Sequence, residues 1–345
     1  VPLIDVGGFR LHLQASGAGQ PTVVLDAALA GSTISWTYVQ PAVAALTRAC
    51  AYDRAGLGRS DAGPLPRTAG RMADELRTLL DRAGERPPYL LVGHSFGGLV
   101  ARIVAARFPE SVAGLLLVDP AHPEDWVTPA PKEQARIDRG VALCRQGALA
   151  CRLGVAHVVS ALVGAGSVGL ARAVVDLFTR GGVRADADWL LAPLWKLPPQ
   201  SRRGLRSVWT RASFFEALGS QIASTAVSAS EVLEASRDGY GDLPLTTISL
   251  TDPDPHRVRR QEALAALSTR GRHVIASSSG HWIPLDQPDV VVSEVRRLLS
   301  EIASGGEDAR GARGVRAGTM LSTAVDPPRA ATSPLEPGID DGEDE

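Results

Sequence analysis

The feature that most constrains this chain is an alternation of two patterns. Short continuous apolar runs are separated by longer segments whose apolar residues recur at helical spacing. Thr22–Ala27, Ala49–Asp53, Tyr89–Gly93 and Val112–Asp119 are apolar at successive positions, so strands made from them are buried on both faces. Between them, Trp36–Leu46, Ala69–Ala83 and Leu99–Phe108 have helical periodicity. Strands of that kind need helices on both sides, and the expected fold class is α/β with a mostly parallel central sheet. Ahead of this series, Leu3–Val6 and Phe9–Ala15 flank Gly7-Gly8, which predicts a hairpin.

The alternation stops at Asp119. Residues from about 123 to 240 carry helical patterns and turn signals without a convincing strand, and then Leu245–Leu250, Val258–Leu267, His273–Ala276 and Val290–Ile302 read strand, helix, strand, helix. The expected organisation is a core of residues 1–122 and 241–304 with a helical cap, 123–240, inserted after the sixth strand. Such an insertion belongs over the carboxyl ends of the strands, where ligands bind in open α/β sheets. From Gly305 the composition turns to Gly, Ala, Arg, Pro and acid, ending Asp340-Asp341-Gly342-Glu343-Asp344-Glu345, so a disordered tail is expected over 305–345. No internal repeat is visible.

Bulk properties exclude some functions. A formal net charge of −2 over 345 residues gives no reason to expect nucleic acid as a partner. Lys132 and Lys196 are the only lysines, so the positive charge is nearly all arginine, which reads as compositional bias. Three cysteines are too few for a disulfide framework. Cys50 in a strand run reads as a buried free thiol. Cys144 and Cys151 share a helix face unless Gly147 breaks that helix, which would permit a bridge. A metal centre from these two with His157 is disfavoured, because zinc ligands are normally spaced more tightly. Val1 opens directly into a strand-like segment without a signal-peptide pattern, so the expected location is cytoplasmic, although the first residue is not Met. Ala148–Gly166 approaches the length of a membrane span, but Arg152, His157 and several glycines interrupt it. A buried or substrate-facing cap helix is the expectation; contact with a lipid surface stays open.

The chemistry concentrates at Gly93-His94-Ser95-Phe96-Gly97. Glycine and serine are common, but here Tyr89-Leu90-Leu91-Val92 enters the motif as a strand and Gly98-Leu99-Val100-Ala101-Arg102 leaves it as a helix. A serine on that turn is lifted clear of the sheet with a helix N-terminus pointing at it. Serine needs a base to take its proton. His281 follows the last strand run through Ser277-Ser278-Ser279-Gly280, ahead of a helix that Asp286 and Pro288 are expected to start. His94 is expected to pack behind the nucleophile and His122 to line the pocket, whereas His12, His157, His256 and His273 have no pairing argument. The base in turn needs a carboxylate. Asp119 ends the Val112–Val118 run and Asp252 follows Leu245–Leu250, with Asp254 just beyond; either gives the order Ser, Asp, His.

Residues 1 to about 302 resemble the α/β-hydrolase fold superfamily, specifically its capped, esterase-like members. The resemblance rests on Tyr52-Asp53-Arg54-Ala55-Gly56-Leu57-Gly58-Arg59-Ser60, on the Ser95 motif, on Leu116-Leu117-Val118-Asp119-Pro120 and on Gly280-His281. It implies a serine hydrolase that cleaves a carboxylic ester through an acyl-enzyme intermediate. No cofactor or metal is implied, and the expected partner is a small, apolar ester. The superfamily usually takes its acid after the strand matching Leu245–Leu250, which favours Asp252, but the usual Gly-x-x-Asp turn is absent from Thr251-Asp252-Pro253-Asp254-Pro255. Some members take it from the preceding strand, and similar esterase-like sequences keep that aspartate; Asp119 is therefore preferred, with Asp252 the alternative. By the same resemblance Phe96 and Leu29 supply the oxyanion-hole N–H groups, although Leu25-Asp26-Ala27-Ala28-Leu29-Ala30-Gly31 lacks the common His-Gly. Ser95 separates the chain from dehalogenases and epoxide hydrolases of this fold, which use aspartate there. Carbon–carbon hydrolases, lactonases, cofactor-free peroxidases and non-catalytic ligand receptors share the serine.

Overall fold

The chain is seen here in a computed structural model, which describes residues 2–165, 208–252 and 254–320, with short pieces between 167 and 201. Eight strands form one sheet in the order β1-β2-β4-β3-β5-β6-β7-β8. β1 (Leu3–Asp5) and β2 (Arg10–Ser16) form the predicted hairpin, and β2 runs antiparallel to β4 (Ala49–Tyr52). The rest is parallel: β4 and β5 (Tyr89–His94) flank β3 (Thr22–Asp26), and β6 (Val112–Val118), β7 (Leu245–Leu250) and β8 (Gly271–Ala276) follow outward from β5.

The apolar runs serve two layers at once, because side chains alternate across a strand. Val24, Leu91, Leu115 and Leu117 face a core shared with α2 (Ala69–Arg82) and α3 (Phe96–Arg107). Their neighbours Val23, Leu25, Leu90, Val92, Leu116 and Val118 face the opposite core. There α1 (Val39–Ala44) contributes Val39 and Val43, and the last helix, α11 (Pro288–Met320), contributes Val291, Val295 and Leu298. Because β3 has β4 on one side and β5 on the other, the order of connection reverses there. The loops leaving β3 and β5 therefore diverge over the carboxyl edge of the sheet, the usual ligand crevice of such folds.

Among the described residues, the segment between β6 and β7 contains helices and no strand: α4 (Glu124–Val127), α5 (Pro131–Arg152), α6 (Val155–Gly164), α7 (Ala212–Ala223) and α8 (Thr225–Ala235). Much of 166–207, within the expected cap, lies outside the described residues. α8 packs on α2 and α3, and Val232 and Tyr240 join the apolar layer beneath the sheet, so the insertion returns to the core before residue 240. Gly147 does not break α5. It packs against the Phe215 ring, Cys144 and Cys151 lie on that unbroken helix, and all three cysteines are free. The run Ala148–Gly166 turns instead at Gly154, in the left-handed region at φ 77°, where α5 and α6 meet at an 86° bend. No single helix among the described residues is long and apolar enough to cross a membrane.

Val1–Ile302 forms one compact unit and Ala303–Glu345 another. The backbone is helical as far as Met320, past Gly305 where the sequence suggests disorder. Residues 321–345 of the expected tail lie outside the described residues.

The insertion is fastened to the core through the start of α2. Its first N–H groups have no intrahelical acceptors. Thr68 caps the Arg71 N–H at 3.3 Å, but Ser228 Oγ takes the Ala69 N–H at 3.0 Å and Glu231 takes the Gly70 N–H at 2.7 Å, both from α8. Glu231 also accepts from Thr68 Oγ1 at 2.9 Å. Glu231→Ala should cost about 1–2 kcal/mol in urea unfolding, and Glu231→Gln, which keeps an acceptor, should cost less.

Candidate active site

β5 runs directly into Ser95, which sits at φ 53° and ψ −116°, and α3 starts at the next residue. A non-glycine residue held there stores roughly 1–3 kcal/mol of strain. Its surroundings hold it there: the Ser95 N–H donates to the Val118 carbonyl at 3.0 Å, and the Ser95 carbonyl accepts from Gly98 at 3.0 Å and Ala121 at 3.3 Å. The turn is tight enough to require glycine on both sides. A Cβ at Gly93 would lie 2.6 Å from the Gly97 carbonyl oxygen. One at Gly97 would press on the carbonyls leaving β3, 2.7 Å from that of Ala27.

His281 lies on the loop between β8 and α10 (Ile283–Asp286), with Nε2 3.1 Å from Ser95 Oγ. Its Nδ1 lies 2.6 Å from Asp119 Oδ2. Asp119 is just past β6 at φ 38°, with its N–H on the Ile248 carbonyl, so the turn off the sheet aims its carboxylate at the histidine. Ser95, His281 and Asp119 thus form one connected chain. Asp252 is occupied elsewhere: it accepts from the Asp254 N–H at 2.9 Å and pairs with Arg257 at 2.9 Å, at the start of α9 (Pro255–Ala265).

The remaining histidines divide as their environments require. His94 is buried behind the serine, and its Nε2 donates to the His281 carbonyl at 2.7 Å. Burial first, then the His281 ring, pushes it down to about 3, so it is neutral at ordinary pH. His122 is also lowered by burial. His12 lies against Asp53 at 2.8 Å, His273 bonds Ser249 Oγ at 2.8 Å and His256 pairs with Arg259 at 3.1 Å.

Sequence reasoning missed the groups that hold the site in shape. Arg54, buried at 2% exposure, bonds Asp26 at 2.9 Å and the Ala27 and Ala28 carbonyls at 2.8 and 2.5 Å, and packs on the Phe96 ring. Because carbonyl and N–H point oppositely across a trans peptide, drawing the Ala28 carbonyl to Arg54 turns the Leu29 N–H away from it. Phe96, as the first residue of α3, also has an N–H without an intrahelical acceptor. Burial raises the Asp26 carboxyl, against the pull of Arg54 and of the Tyr52 hydroxyl at 2.8 Å. The Asp53-Arg54 pair within the quoted motif was the available signal. Asp53 takes N–H bonds from Thr33 and Arg59 at 2.6 and 2.8 Å.

The loop that carries His281 has its own brace. Asp286 does not start a helix; it ends α10 and accepts from the Gly280 N–H at 3.2 Å, while Gln287 takes the Ser278 N–H at 2.9 Å. Lys196, from the insertion, bonds Asp286, and Leu197 beside it packs with Ala28, Trp282 and Leu285. No cluster of His, Cys, Asp and Glu suited to a metal occurs among the described residues.

Two outcomes follow. Arg54→Met should lose about 3–5 kcal/mol in urea unfolding by stranding the Asp26 charge, and Arg54→Met with Asp26→Asn should recover much of it. For His94, the unfolded chain takes up a proton below 6.5 that the native state refuses until about 3. Its contribution is complete above 6.5 and is lost as the pH falls toward 3. His94→Gln, which keeps a donor without titrating there, should flatten the pH dependence of unfolding free energy in that window.

The comparisons agree with this architecture. Residues 21–157 match the family model of the α/β hydrolase fold. An AB hydrolase superfamily protein of Gibberella zeae is 41% identical over 104 residues, 29% of this chain and 32% of that protein, so the chain spans about a third of that relative's length. Among solved structures, a thermophilic esterase from Thermogutta terrifontis superposes with a TM-score of 0.58 at 19% identity, covering 85% of this chain and 94% of its own. The epoxide hydrolase CorEH does so with 0.58 at 18%, covering 87% and 98%. Likeness at these identities concerns the fold alone.

Proposed function

We propose that this chain, whose residues 21–157 match the α/β hydrolase fold, is a serine hydrolase acting on carboxylic esters, with Ser95 as nucleophile, His281 as base and Asp119 as acid. The observation that carries this reading is the unbroken hydrogen-bond chain from Ser95 Oγ through both ring nitrogens of His281 to Asp119. The serine favours ester over epoxide chemistry, since epoxide hydrolases of this fold place an aspartate at the elbow.

Asp119 accepts a hydrogen bond from Nδ1–H, which keeps that proton on the ring and leaves the Nε2 lone pair of His281 free to receive one. Ser95 Oγ attacks the ester carbonyl as its proton passes to Nε2. Charge gathers on the carbonyl oxygen, facing the N–H groups of Phe96 and Leu29; a donor of this kind is worth about 3–4 kcal/mol in the transition state. When the C–O bond breaks, Nε2 returns the proton to the departing alcohol. Water then attacks the acyl-serine, giving its proton to the same nitrogen, and the acid leaves as Ser95 regains its hydrogen. The helical insertion is assigned the role of a cap over this edge, and its Leu197, packed with Ala28 and Trp282, suits an apolar acyl or alcohol group.

The test is hydrolysis of p-nitrophenyl esters across acyl lengths. Ser95→Ala should abolish turnover, Asp119→Asn should lower kcat about 10⁴-fold, and Asp252→Asn should stay within about threefold of the parent. Medium chains should outrun acetate. Loss in Asp252→Asn with survival of Asp119→Asn would reverse the choice of acid, and full activity in Ser95→Ala would reject the mechanism.

A further inference from the structure

The insertion carries a surface that the proposed chemistry does not use. α5 buries Cys144, Ala148 and Cys151 and packs on α7, with Gly147 against Phe215. Along its outer side, Leu149 is 49% exposed and Leu153, four residues on, 63%. Past the 86° corner at Gly154, α6 reads Val-Ala-His-Val-Val-Ser-Ala-Leu-Val-Gly and contributes no buried residue; Val158 is 53% exposed and Val163 37%. Helix periodicity puts Arg145 on the same stripe as Leu149. Arg139 and Arg145 are exposed and have no acidic partner among the described residues.

The charge of α5 has the matching sign. Pro131–Arg152 holds five Lys and Arg against two acids, Glu133 and Asp138, in a chain whose formal net charge is −2. Arg136 pairs with Glu133 and Arg152 with Glu216, and Lys132, Arg139 and Arg145 have no acidic partner among the described residues. An apolar face bordered by cations complements one kind of partner, a lipid surface of negative charge. Apolar side chains enter the headgroup boundary while arginines remain at phosphate level. α6, at ten residues, is too short to span a bilayer, and the sharp corner at Gly154 favours a helix lying in the plane.

We propose that the α5–α6 corner of the insertion docks this protein on anionic phospholipid bilayers, with Leu149, Leu153, Val158 and Val163 entering the lipid and Arg139 and Arg145 pairing with headgroups. Docking is reversible and independent of the hydrolase assignment, because it uses none of Ser95, His281 or Asp119.

The test is co-sedimentation of the full chain with vesicles of pure phosphatidylcholine, or of phosphatidylcholine with about one third phosphatidylglycerol. Binding should appear on the anionic vesicles, fall steeply with added salt and be unchanged in Ser95→Ala. Leu153→Glu with Val158→Glu, and separately Arg139→Glu with Arg145→Glu, should each reduce the partition coefficient about tenfold or more. Circular dichroism and the urea midpoint should stay at parent values, since these side chains are exposed. The proposal is overturned by equal binding to both vesicle types, by absence of binding, or by folded variants that bind like the parent. It is also overturned if light scattering shows a dimer that Leu153→Glu dissociates, because the apolar face would then be covered by a second copy.

Discussion

The site depends first on one backbone conformation. Ser95 at φ 53° is tolerable only because the sheet, the loop after β6 and the first turn of α3 each hold its peptide groups, and because Gly93 and Gly97 leave room for the chain to fold over itself. Relaxing that residue would swing its hydroxyl away from His281. The cost is of the size of one ordinary hydrogen bond or two, which a core of continuously apolar strands can absorb.

Around that fixed point the groups arrive from separate parts of the chain, each with its own fastening. Asp119 is set by the turn off β6, and the His281 loop by Asp286, Gln287 and the carbonyl bond from His94. On the far side, Arg54 draws the β3 loop inward through two carbonyls and the Asp26 carboxylate. A buried ion pair is seldom a net gain in stability, but it fixes where a loop runs. The helical insertion is tied into the same frame. Lys196 bonds Asp286, Arg211 bonds the Gly58 carbonyl, and Glu231 caps α2.

Much of this was legible beforehand. Parallel buried strands announce themselves as unbroken apolar runs, as β3, β4, β5 and β6 do, and the other four strands lie within two residues of where the sequence placed them. The serine was legible because the turn between a buried strand and a helix is a local event with local glycine requirements. The carboxylate was legible only through the resemblance, which preferred Asp119, since Asp119 and Asp252 both follow strands and both precede His281 in sequence. Orientation separates them: Asp119 turns toward His281, whereas Asp252 turns toward Arg257 and the Asp254 N–H. The helix boundary at Asp286 misled for a related reason, because an aspartate ahead of Pro288 resembles a cap until the Gly280 N–H is seen beside it. The cysteine question turned on Gly147, whose packing against Phe215 no local pattern contains.

The sequence alone determined the α/β class, the hairpin that opens it, the strand order along the chain, the strand–turn–helix that carries Ser95 and the place of His281 on the loop after the last strand. These follow from periodicity and turn chemistry, which act over a few residues. Tertiary structure alone decided which aspartate reaches the histidine, how Arg54 shapes the loop after β3, and how the insertion is pinned to the core. It also decided which apolar side chains of the insertion remain in solvent. Those outcomes depend on groups tens to hundreds of residues apart meeting at a few ångströms, and no short-range pattern encodes that distance.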